Sequence, residues 1–463
     1  MKHPFHQFHL YEIGSRLFCG KKGKPIHELW IELQKNTLFN WADEIWLMGV
    51  WKNSPSSQNI ARSMPELQIE YQKVKSSANP DDVYGSPYSI YDYVPDPLVS
   101  HSFDLTEIYT WFQSKNKKLI LDFVPNHMAI DSPIISKFPN LFLKAKGNEE
   151  AKNTFLHSNG IRYVHGKDPY YDGWTDTIQW DFSNPEVETF HIHLLKNIAK
   201  QCDGVRCDMA MLPLPEVFDK THGIKSVYDW KKIIHAVKEE YPNFKFYAEV
   251  YWGLEDSLQS LGFDATYDKF FYDSLKHKNL NQVFELMQYQ THSSHIRFLE
   301  NHDEDRANHT FGEQTNTYFG LLCANPGIIL VFDGQELGFH KKIPVQMIGT
   351  FEETPDPKVS TFFNRALSVM NNREKRIEYG EINYSEFNFL PIFARVLHSK
   401  NQTELFIWNF QQVMISGWIP FQEGISFQKE LRDIVSGESY SQEKNEKGLY
   451  YKLNPNQLQW FIF

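Results

Sequence analysis

The chain has 463 residues, of which 41% are hydrophobic and 23% charged, and its formal net charge is -11 at pH 7. Such a chain is long enough for a barrel of roughly 250–400 residues plus one small extra domain, and a core of that size needs no disulfide bonds. The acidic balance argues against a nucleic-acid ligand, because a phosphate backbone binds a basic surface.

The cysteines and the first residues bear on the cellular compartment. Cys19, Cys202, Cys207 and Cys323 are scattered without a CxxC pair, which predicts small buried thiols. The opening residues MKHPFHQFHLYEIG contain no continuous apolar stretch, and no segment reaches the roughly 18 apolar residues of a membrane-spanning helix. From the sequence we expect a cytoplasmic protein without a membrane span.

Short apolar runs recur along the chain and are separated by stretches with helical spacing. Because the runs are apolar nearly throughout rather than alternating, they are typical of parallel strands that are covered on both faces. Strand and helix in eightfold repetition predict an α/β fold, a (β/α)₈ TIM barrel. The predicted strands are residues 9–14, 43–50, 117–126, 202–212, 244–250, 263–268, 295–301 and 327–332.

Segment 226–241 is the clearest predicted helix. Val227, Trp230 and Ile233 recur at the spacing of one helical face. Ser226 and Asp229 predict that the helix starts with a capping box.

Two segments depart from the barrel pattern. Residues 128–180 are aromatic and rich in turn residues, which predicts an irregular insertion after the third strand. Residues 387–397 and 403–410 predict antiparallel strands of a small C-terminal β domain, which we interpret as a β-sandwich. The predicted domains are a catalytic barrel of residues 1–127 and 181–378, an inserted domain of residues 128–180 and a C-terminal domain of residues 379–463.

Polar side chains interrupt the ends of the third, fourth, fifth and seventh predicted strands. In a parallel barrel the active site lies at the carboxyl ends of the strands, and burying any such group unpaired is costly. We therefore expect these side chains to meet in one polar pocket. They are Asp122, Asn126, His127, Arg206, Asp208, Glu249, His302 and Asp303.

Each of these residues also has a purely structural interpretation. A lone aspartate or glutamate at a strand end is usually a helix cap or an ion-pair partner, and His127 alone would more often be a core histidine. Residues 303–306 would usually form a solvated loop. All these interpretations would have to hold at once at four strand ends, so a shared pocket is favoured.

Glycoside hydrolysis gives this set of residues a chemistry. A retaining enzyme needs a nucleophilic carboxylate and a proton-donating carboxyl group about 5–5.5 Å apart. Arg206 lies two residues from Asp208 on the same strand face and would hold that carboxylate ionised. The apolar neighbours of Glu249 favour a protonated acid. Asp303 would bind sugar hydroxyls and stabilise oxocarbenium-like charge.

Four motifs, taken in order, resemble the conserved regions of glycoside hydrolase family 13, the α-amylase family. They are DFVPNH (122–127), GVRCD (204–208), AEV (248–250) and ENHDEDR (300–306). Residues 327–338 and 85–93 are also similar to the eighth strand of the family and to the stretch after its second strand. The resemblance covers roughly residues 8–375, and the C-terminal β segment fits the family as well.

The resemblance implies a role for each motif residue. Asp208 would be the nucleophile, Glu249 the acid/base and Asp303 the third catalytic carboxyl group. The residues that would hold the sugar in subsite −1 are Tyr88, His127, Arg206 and His302.

The sequence departs from the family at three informative positions. Met211 and Leu212 stand where many amylases carry a Lys-His pair that contacts subsite +2. Ser89 stands where many exo-acting α-glucosidases carry an aspartate. Asn126 matches a ligand of the calcium-binding members, but one oxygen is far short of the six to eight that Ca²⁺ takes. We therefore expect no cofactor, with Ca²⁺ kept as an alternative.

The main functional hypothesis is a retaining α-glycosidase that hydrolyses α-glucosidic bonds in α-glucans or maltooligosaccharides by double displacement. The first alternative is an α-glucan transglycosylase or isomerase on the same scaffold, transferring a maltosyl or glucosyl unit. The second is a binding or scaffold protein with an inactive site, which would lose nothing on Asp208→Asn substitution. In each case a carbohydrate is the expected partner, with neither a nucleic acid nor a membrane.

Overall fold

The eight predicted strands form a closed parallel barrel in the computed structural model. The structure describes residues 3–22, 31, 33–100, 104–147, 150–289, 294–349, 351–373, 376–381, 391–443 and 445–463. Consecutive strands pair in parallel, and the last pairs with the first, so the predicted (β/α)₈ fold is confirmed. The barrel strands are β1 (His3–Gly14), β2 (Glu44–Met48), β3 (Lys118–Phe123), β4 (Gly204–Cys207), β5 (Lys245–Ala248), β6 (Ala265–Tyr267), β7 (His295–Arg297) and β8 (Gly327–Phe332).

Each barrel strand is buried on both faces, which explains why its sequence reads as a continuous apolar run. Successive side chains of a strand point to opposite faces. Trp46 and Met48 pack inside the barrel with residues of other strands. Ile45 and Leu47 point outward into the larger core between the barrel and its helices. The polar residues of the strands are therefore concentrated at their ends.

Helices surround the barrel, and many begin at a side-chain cap. Asn184, for example, accepts a hydrogen bond from the backbone N–H of Glu186, and Pro185 occupies the first helical position. Within the part of the chain that the structure describes, no helix is long and apolar enough to cross a membrane. The α-helices are Ser15–Lys22, Thr37–Trp41, Pro55–Ser63, Pro65–Val74, Pro97–Ser100, Leu105–Ser114, Pro133–Lys137, Pro185–Ile198, Pro215–His222, Trp230–Lys238, Glu255–Ser260, Lys269–Lys276, Leu280–Tyr289, Ala307–Phe311, Thr315–Cys323 and Pro357–Asn372.

The helix predicted over residues 226–241 is shorter in the structure and starts differently. It spans Trp230–Lys238, and Asp229 is its N-cap, accepting from the backbone N–H groups of Lys231 and Lys232. The predicted capping box is therefore wrong. Ser226 instead donates its hydroxyl hydrogen to the carbonyl of Pro213, a tertiary contact.

An irregular insertion follows β3, as predicted. Its short strands pair antiparallel, His127–Ala129 with Thr177–Gln179 and Thr154–Leu156 with Arg162–Val164. The first pairing brings both ends of the insertion together at the barrel mouth. A further pair, Trp51–Asn53 with Ile90–Pro95, follows β2. The short 3₁₀ turns are Pro80–Asp82, Pro139–Leu141, Ala151–Asn153, Gly312–Gln314 and Gln335–Leu337.

The C-terminal strands form antiparallel pairings, as predicted. One sheet runs in the order β9 (Arg376–Glu381), β10 (Phe393–His398), β11 (Thr403–Trp408) and β16 (Leu458–Ile462), and it joins the barrel through β1. Two further pairs are β12 (Ile415–Ile419) with β15 (Leu449–Leu453) and β13 (Glu430–Arg432) with β14 (Ser439–Ser441). Residues 387–390 of the predicted strand lie outside the described residues. The predicted boundary between residues 378 and 379 falls inside β9, and the domain limits remain predictions.

A buried ion pair joins the last barrel helix to the C-terminal sheet. Arg373 donates to both carboxylate oxygens of Glu404, with distances of 2.7 Å from Nε and 2.6 Å from Nη2. Trp460 Nε1 donates to the same carboxylate at 2.9 Å, and Arg373 Nη1 donates to the Cys323 carbonyl at 3.0 Å. Each charge therefore has several partners, as a buried ion pair requires.

We predict that Glu404→Ala lowers the free energy of unfolding by about 3–5 kcal/mol, because it leaves the Arg373 guanidinium buried without its counter-ion. The measurement is urea-induced unfolding. The matched control is Glu70→Ala, which removes an exposed ion pair with Lys73 and should cost less than about 1 kcal/mol. Equal losses in the two variants would contradict this account of the junction.

Candidate active site

A cleft of about 520 Å³ opens at the carboxyl ends of the barrel strands. Five of the residues predicted from the sequence to form the site line it together: Tyr88, His127, Asp208, Glu249 and Asp303. The remaining two, Arg206 and His302, are buried and contact these residues from behind. The structure thus brings together the seven residues to which the resemblance gives a role, whereas Asp122 and Asn126, which were also expected in the pocket, do not line the cleft.

Arg206 joins the two carboxyl groups at the centre of the site. It lies on β4, and its Nη1 donates to Oδ1 of Asp208 at 2.7 Å. Its Nη2 lies 2.7 Å from Oε2 of Glu249, just beyond the end of β5. The two carboxyl groups are consequently held against neighbouring nitrogens of a single guanidinium group.

Glu249 is enclosed by the site. Its Oε2 accepts a hydrogen bond from the backbone N–H of Met209, and its Oε1 accepts one from the Tyr251 hydroxyl, both at 2.7 Å. Burial raises the pKa of Glu249 to about 7, with the negative charges of Asp208 and Asp303 acting in the same direction and Arg206 against it. Near neutral pH this carboxyl group can therefore donate or accept a proton.

The pKa of Asp208 is raised, whereas the neighbouring arginine had predicted a firmly ionised carboxylate. Burial raises the pKa of its carboxyl group, and this effect outweighs the charge and hydrogen bond of Arg206, which lower it. The neighbouring charges of Asp303 and Asp122 also raise it. Arg206 alone therefore does not keep the pKa of Asp208 below its ordinary value, as the sequence had led us to expect.

Asp303 and His302 form a charged pair beside the cleft. His302 Nε2 lies 2.9 Å from Oδ2 of Asp303, whose side chain is 48% exposed. Burial acts to raise the pKa of Asp303, but the charge and hydrogen bond of His302 prevail and lower it to about 2. Asp303 is consequently the carboxyl group of the site that stays ionised most firmly.

Glu12 is a site residue that the sequence analysis missed. It is completely buried on β1, and its Oε1 lies 2.5 Å from Nδ1 of His302. Burial acts to lower the pKa of His302, but the charges of Asp303 and Glu12 outweigh it and raise that pKa to about 10. His302 is therefore a cation held between two carboxylates. The signal was available, since Glu12 is a lone charge near the end of an apolar strand.

Tyr88 and His127 complete the wall of the cleft. The Tyr88 hydroxyl lies 2.7 Å from Nε2 of His302, and the Tyr88 ring centre lies 5.1 Å from the Arg206 guanidinium carbon. Burial lowers the pKa of His127 to about 4, so this imidazole is neutral near pH 7. Its ring lies 5.1 Å from that of Trp174.

Three residues singled out in the sequence do not line the cleft, although Asp122 is close to the site, with its Oδ1 4.0 Å from Nη1 of Arg206. Asp122 supports the barrel interior, accepting from Trp46 Nε1 and from the backbone N–H of Gly49. Met211 and Leu212 are buried in the core and do not face the cleft. A sugar in the subsite +2 that the Lys-His pair of many amylases contacts would therefore have to find its polar partners among other residues.

The surroundings of Asn126 do not fit a calcium site. Gln179 Nε2 donates to the side-chain and backbone oxygens of Asn126, at 3.0 and 2.9 Å. The side-chain NH₂ group of Gln179 thus occupies the position from which a calcium ion would contact the oxygens of Asn126. Among the described residues, no group of three or more His, Cys, Asp or Glu side chains could hold a metal ion.

Comparisons with known proteins agree with the resemblance seen in the sequence. No protein-family model matches the chain. "Alpha-amylase 2" of Dictyoglomus thermophilum is 25% identical over an alignment of 388 positions, and the alignment covers 76% of this chain and 62% of that protein. The chain thus spans less than two thirds of its curated relative.

Solved structures share the whole fold. A noncanonic maltogenic α-amylase from Thermotoga neapolitana gives a TM-score of 0.69 at 18% identity, covering 98% of both chains. The isomaltulose synthase of Klebsiella sp. LX3 gives 0.65 at 13% identity, again covering 98% of both chains. At such identities these two structures bear on the fold alone. Together with the named homologue they confirm the resemblance to the α-amylase family.

We predict that the protein unfolds at the same temperature in EDTA and in millimolar Ca²⁺, because Gln179 already satisfies Asn126. A ligand that binds only the native state raises the melting temperature. Thermal unfolding under both conditions is the measurement. A clear rise of the melting temperature with Ca²⁺ would show that the chain has a calcium site.

We predict that Glu12→Gln reduces the pH dependence of stability. In the wild type the pKa of His302 rises on folding from its ordinary value of about 6.5 to about 10. The stabilisation of the folded state by protonated His302 is therefore fully present below about pH 6.5, and it is lost as the pH rises towards 10. The wild type should therefore have a larger free energy of unfolding than Glu12→Gln below about pH 6.5, and this difference should shrink as the pH rises towards 10. A difference in free energy of unfolding that stays constant with pH would contradict the contact between Glu12 and His302.

Proposed function

We propose that this chain is a retaining α-glycosidase that hydrolyses α-glucosidic bonds in α-glucans or maltooligosaccharides by double displacement. The observation that carries the proposal is the placement of Asp208 and Glu249 on neighbouring nitrogens of Arg206. This arrangement fits the short carboxyl separation of retaining enzymes, about 5–5.5 Å, better than the roughly 6.5–9.5 Å that inverting enzymes need for a water molecule. The homologous α-amylase supports the same chemistry.

In the first step Asp208 attacks the anomeric carbon of the sugar in subsite −1. The bond from that carbon to the glycosidic oxygen breaks, and Glu249 gives its proton to the departing oxygen. Its raised pKa of about 7 leaves a substantial protonated fraction near neutral pH. The product of this step is a glycosyl ester on Asp208.

In the second step Glu249, now ionised, takes a proton from water. The resulting hydroxide attacks the anomeric carbon and displaces Asp208. Two inversions at the same carbon release a product with the α configuration. Glu249 regains its proton and is ready for the next cycle.

The remaining polar groups of the cleft would hold the sugar and stabilise the transition state. The oxocarbenium-like carbon is positive, and the ionised Asp303 is a suitable stabilising charge. The neutral His127 would supply a hydrogen-bond donor for a sugar hydroxyl. Arg206 and His302, whose N–H groups face the carboxylates, would act on the sugar through the carboxylates that they hold in place. Tyr88 offers an aromatic wall beside them.

Transfer to a second sugar remains the alternative on this scaffold. The fold is shared with a synthase as well as with amylases, so it does not separate the two outcomes. Apolar side chains also line the cleft, among them Ile60, Met64 and Leu67. Such a wall would restrict the access of water to the glycosyl ester, which favours transfer.

A cytoplasmic location is part of the proposal. All four cysteines are buried and free, as predicted, and reduced thiols are typical of that compartment.

We predict a bell-shaped pH dependence of kcat/KM. Activity should fall as the pH rises through about 7, because Glu249 loses the proton that it must donate. It should also fall on the acid side, where Asp208 becomes protonated. Tyr251→Phe removes a hydrogen bond that lowers the pKa of Glu249, so the alkaline limb should move to higher pH. An alkaline limb that moves downwards or stays in place would contradict the role of Glu249.

We predict that Asp208→Asn lowers kcat by a factor on the order of 10⁴ or more, as removal of a covalent nucleophile does. Wild type and variant are incubated with maltooligosaccharides, sucrose and trehalose, and the products are resolved by chromatography. Asp305→Asn, a change at an exposed carboxylate nearby, is the control and should retain activity.

The products decide between hydrolysis and transfer and test the α-glucan specificity. Shorter α-oligosaccharides from the wild type alone support the hydrolase with Asp208 as nucleophile. Longer or rearranged sugars favour the transferase. If the wild type changes none of these substrates, the α-glucan specificity is wrong.

A further inference from the structure

Asp176 is a carboxylate of the cleft to which neither the resemblance nor the proposed mechanism gives a role. It lies near the end of the insertion, immediately before the strand Thr177–Gln179, and it lines the same cleft as Asp208 and Glu249. The residue is half-buried. A charged group in such a place needs hydrogen-bond donors for its oxygens, whether from the protein, from water or from a ligand.

The position of Asp176 is fixed by three hydrogen bonds. Its backbone carbonyl accepts one from the Ser89 hydroxyl at 2.8 Å and one from the backbone N–H of Ile130 at 3.1 Å. Its Oδ2 accepts the third, from the Ser57 hydroxyl at 2.6 Å. Ser57 is itself buried in the first turn of the helix Pro55–Ser63. The carboxylate is therefore held in a defined orientation within the wall of the cleft.

The second carboxylate oxygen of Asp176 is left for a ligand. Within the part of the chain that the structure describes, no backbone or side-chain donor contacts its Oδ1. An ionised carboxylate accepts hydrogen bonds and donates none. A ligand group that pairs with this oxygen must therefore carry a hydrogen, as a sugar hydroxyl does.

Asp176 lies on the part of the cleft wall that is remote from Glu249. Its partners Ser57 and Ser89 follow β2, whereas Glu249 follows β5, three positions further round the ring of eight strands. In the proposed mechanism C1 of the sugar in subsite −1 points towards Glu249. Because C4 is the ring atom opposite C1 in a pyranose, the groups on C4 and on the neighbouring C5 point away from Glu249 and towards Asp176.

Apolar side chains continue the wall of the cleft beyond Ser57. Ile60, Ala61 and Met64 belong to the same helix or to the residue that follows it, and all three line the cleft, with Glu66 further along. The three apolar side chains offer no hydrogen-bonding group to the hydroxyls of a further sugar unit. This wall suits the end of a glucan better than its continuation.

We infer that Asp176 binds the free hydroxyl groups on C4 and C6 of a terminal glucosyl unit and so restricts cleavage to the non-reducing ends of glucans. Inside an α-1,4-linked chain the oxygen on C4 carries the next glucosyl unit and has no hydrogen to donate. A site that accepts a hydrogen bond from a hydroxyl discriminates against a substrate without it, because the buried acceptor is left unpaired. The inference rests on the proposed function and deepens it by naming the bond that is cleaved.

The test compares two forms of maltoheptaose that carry the same chromophore at the reducing end. One form has a free non-reducing end, and in the other an ethylidene group blocks the hydroxyls on C4 and C6 of the terminal unit. The rate at which shorter chromophoric products form gives kcat/KM, and it counts hydrolysis and transfer alike. The proteins are the full-length wild type, Asp176→Ala and Asp176→Asn. Asp172→Asn is the matched control, because Asp172 is a 62% exposed carboxylate of the same insertion.

We expect the wild type to cleave the free-ended form with a kcat/KM about 10- to 100-fold above that for the blocked form, the range of one hydrogen bond to a charged group. The first chromophoric product should be one glucosyl unit shorter than the substrate. Asp176→Ala should lower kcat/KM for the free-ended form towards the value for the blocked form and leave the blocked form unchanged. Asp176→Asn should lie between, because its amide oxygen still accepts, and Asp172→Asn should keep the full preference.

The outcomes separate this role of Asp176 from the proposed glycosidase activity. Equal kcat/KM for the two forms in the wild type would overturn the inference and leave the glycosidase proposal standing. A loss in Asp176→Ala that is the same for both forms would overturn it as well, because a purely structural role predicts that result. If the wild type cleaves neither form, the α-glucan specificity is wrong and the inference falls with it.

Discussion

The buried guanidinium group of Arg206 is the constraint on which the site depends. Its side chain is only 2% exposed, so its charge must be balanced by nearby acceptors. Asp208 and Glu249 provide that balance from two neighbouring strands, and the rings of Trp46, Tyr88 and Tyr267 enclose the group. The same contacts that compensate a buried charge thereby fix the two carboxyl groups relative to each other.

The chemistry follows from how this enclosed site separates the acidities of its carboxyl groups. Burial raises the pKa of Glu249 to about 7, whereas the cationic His302 lowers the pKa of Asp303 to about 2. Groups whose pKa values are driven apart in this way can act as acid and as fixed charge in one reaction. Glu12 contributes from behind, since its carboxylate helps to keep His302 charged.

Much of the fold and site could be predicted from the sequence because both depend on local patterns. Strands buried on both faces give continuous apolar runs, and a charged residue at the end of such a run is conspicuous. Arg206 and Asp208 also share a strand, so their contact follows from the alternation of side chains alone.

Features that depend on distant contacts could not be predicted in this way. Glu12 and His302 are 290 residues apart, and only the closed barrel brings their side chains together. The start of the helix Trp230–Lys238 depends on whether Ser226 finds a tertiary partner, which it does in Pro213. The raised pKa of Asp208 reflects the burial of the finished site, whereas the sequence shows only the neighbouring arginine.

The configuration of the first product tests the central claim most directly. Wild-type protein is mixed with a maltooligosaccharide, and the newly formed reducing end is followed by proton NMR before mutarotation equilibrates it. Double displacement through Asp208 predicts that the α anomer appears first and the β anomer only later. Initial release of the β anomer would contradict the account, because it would require a single displacement by water.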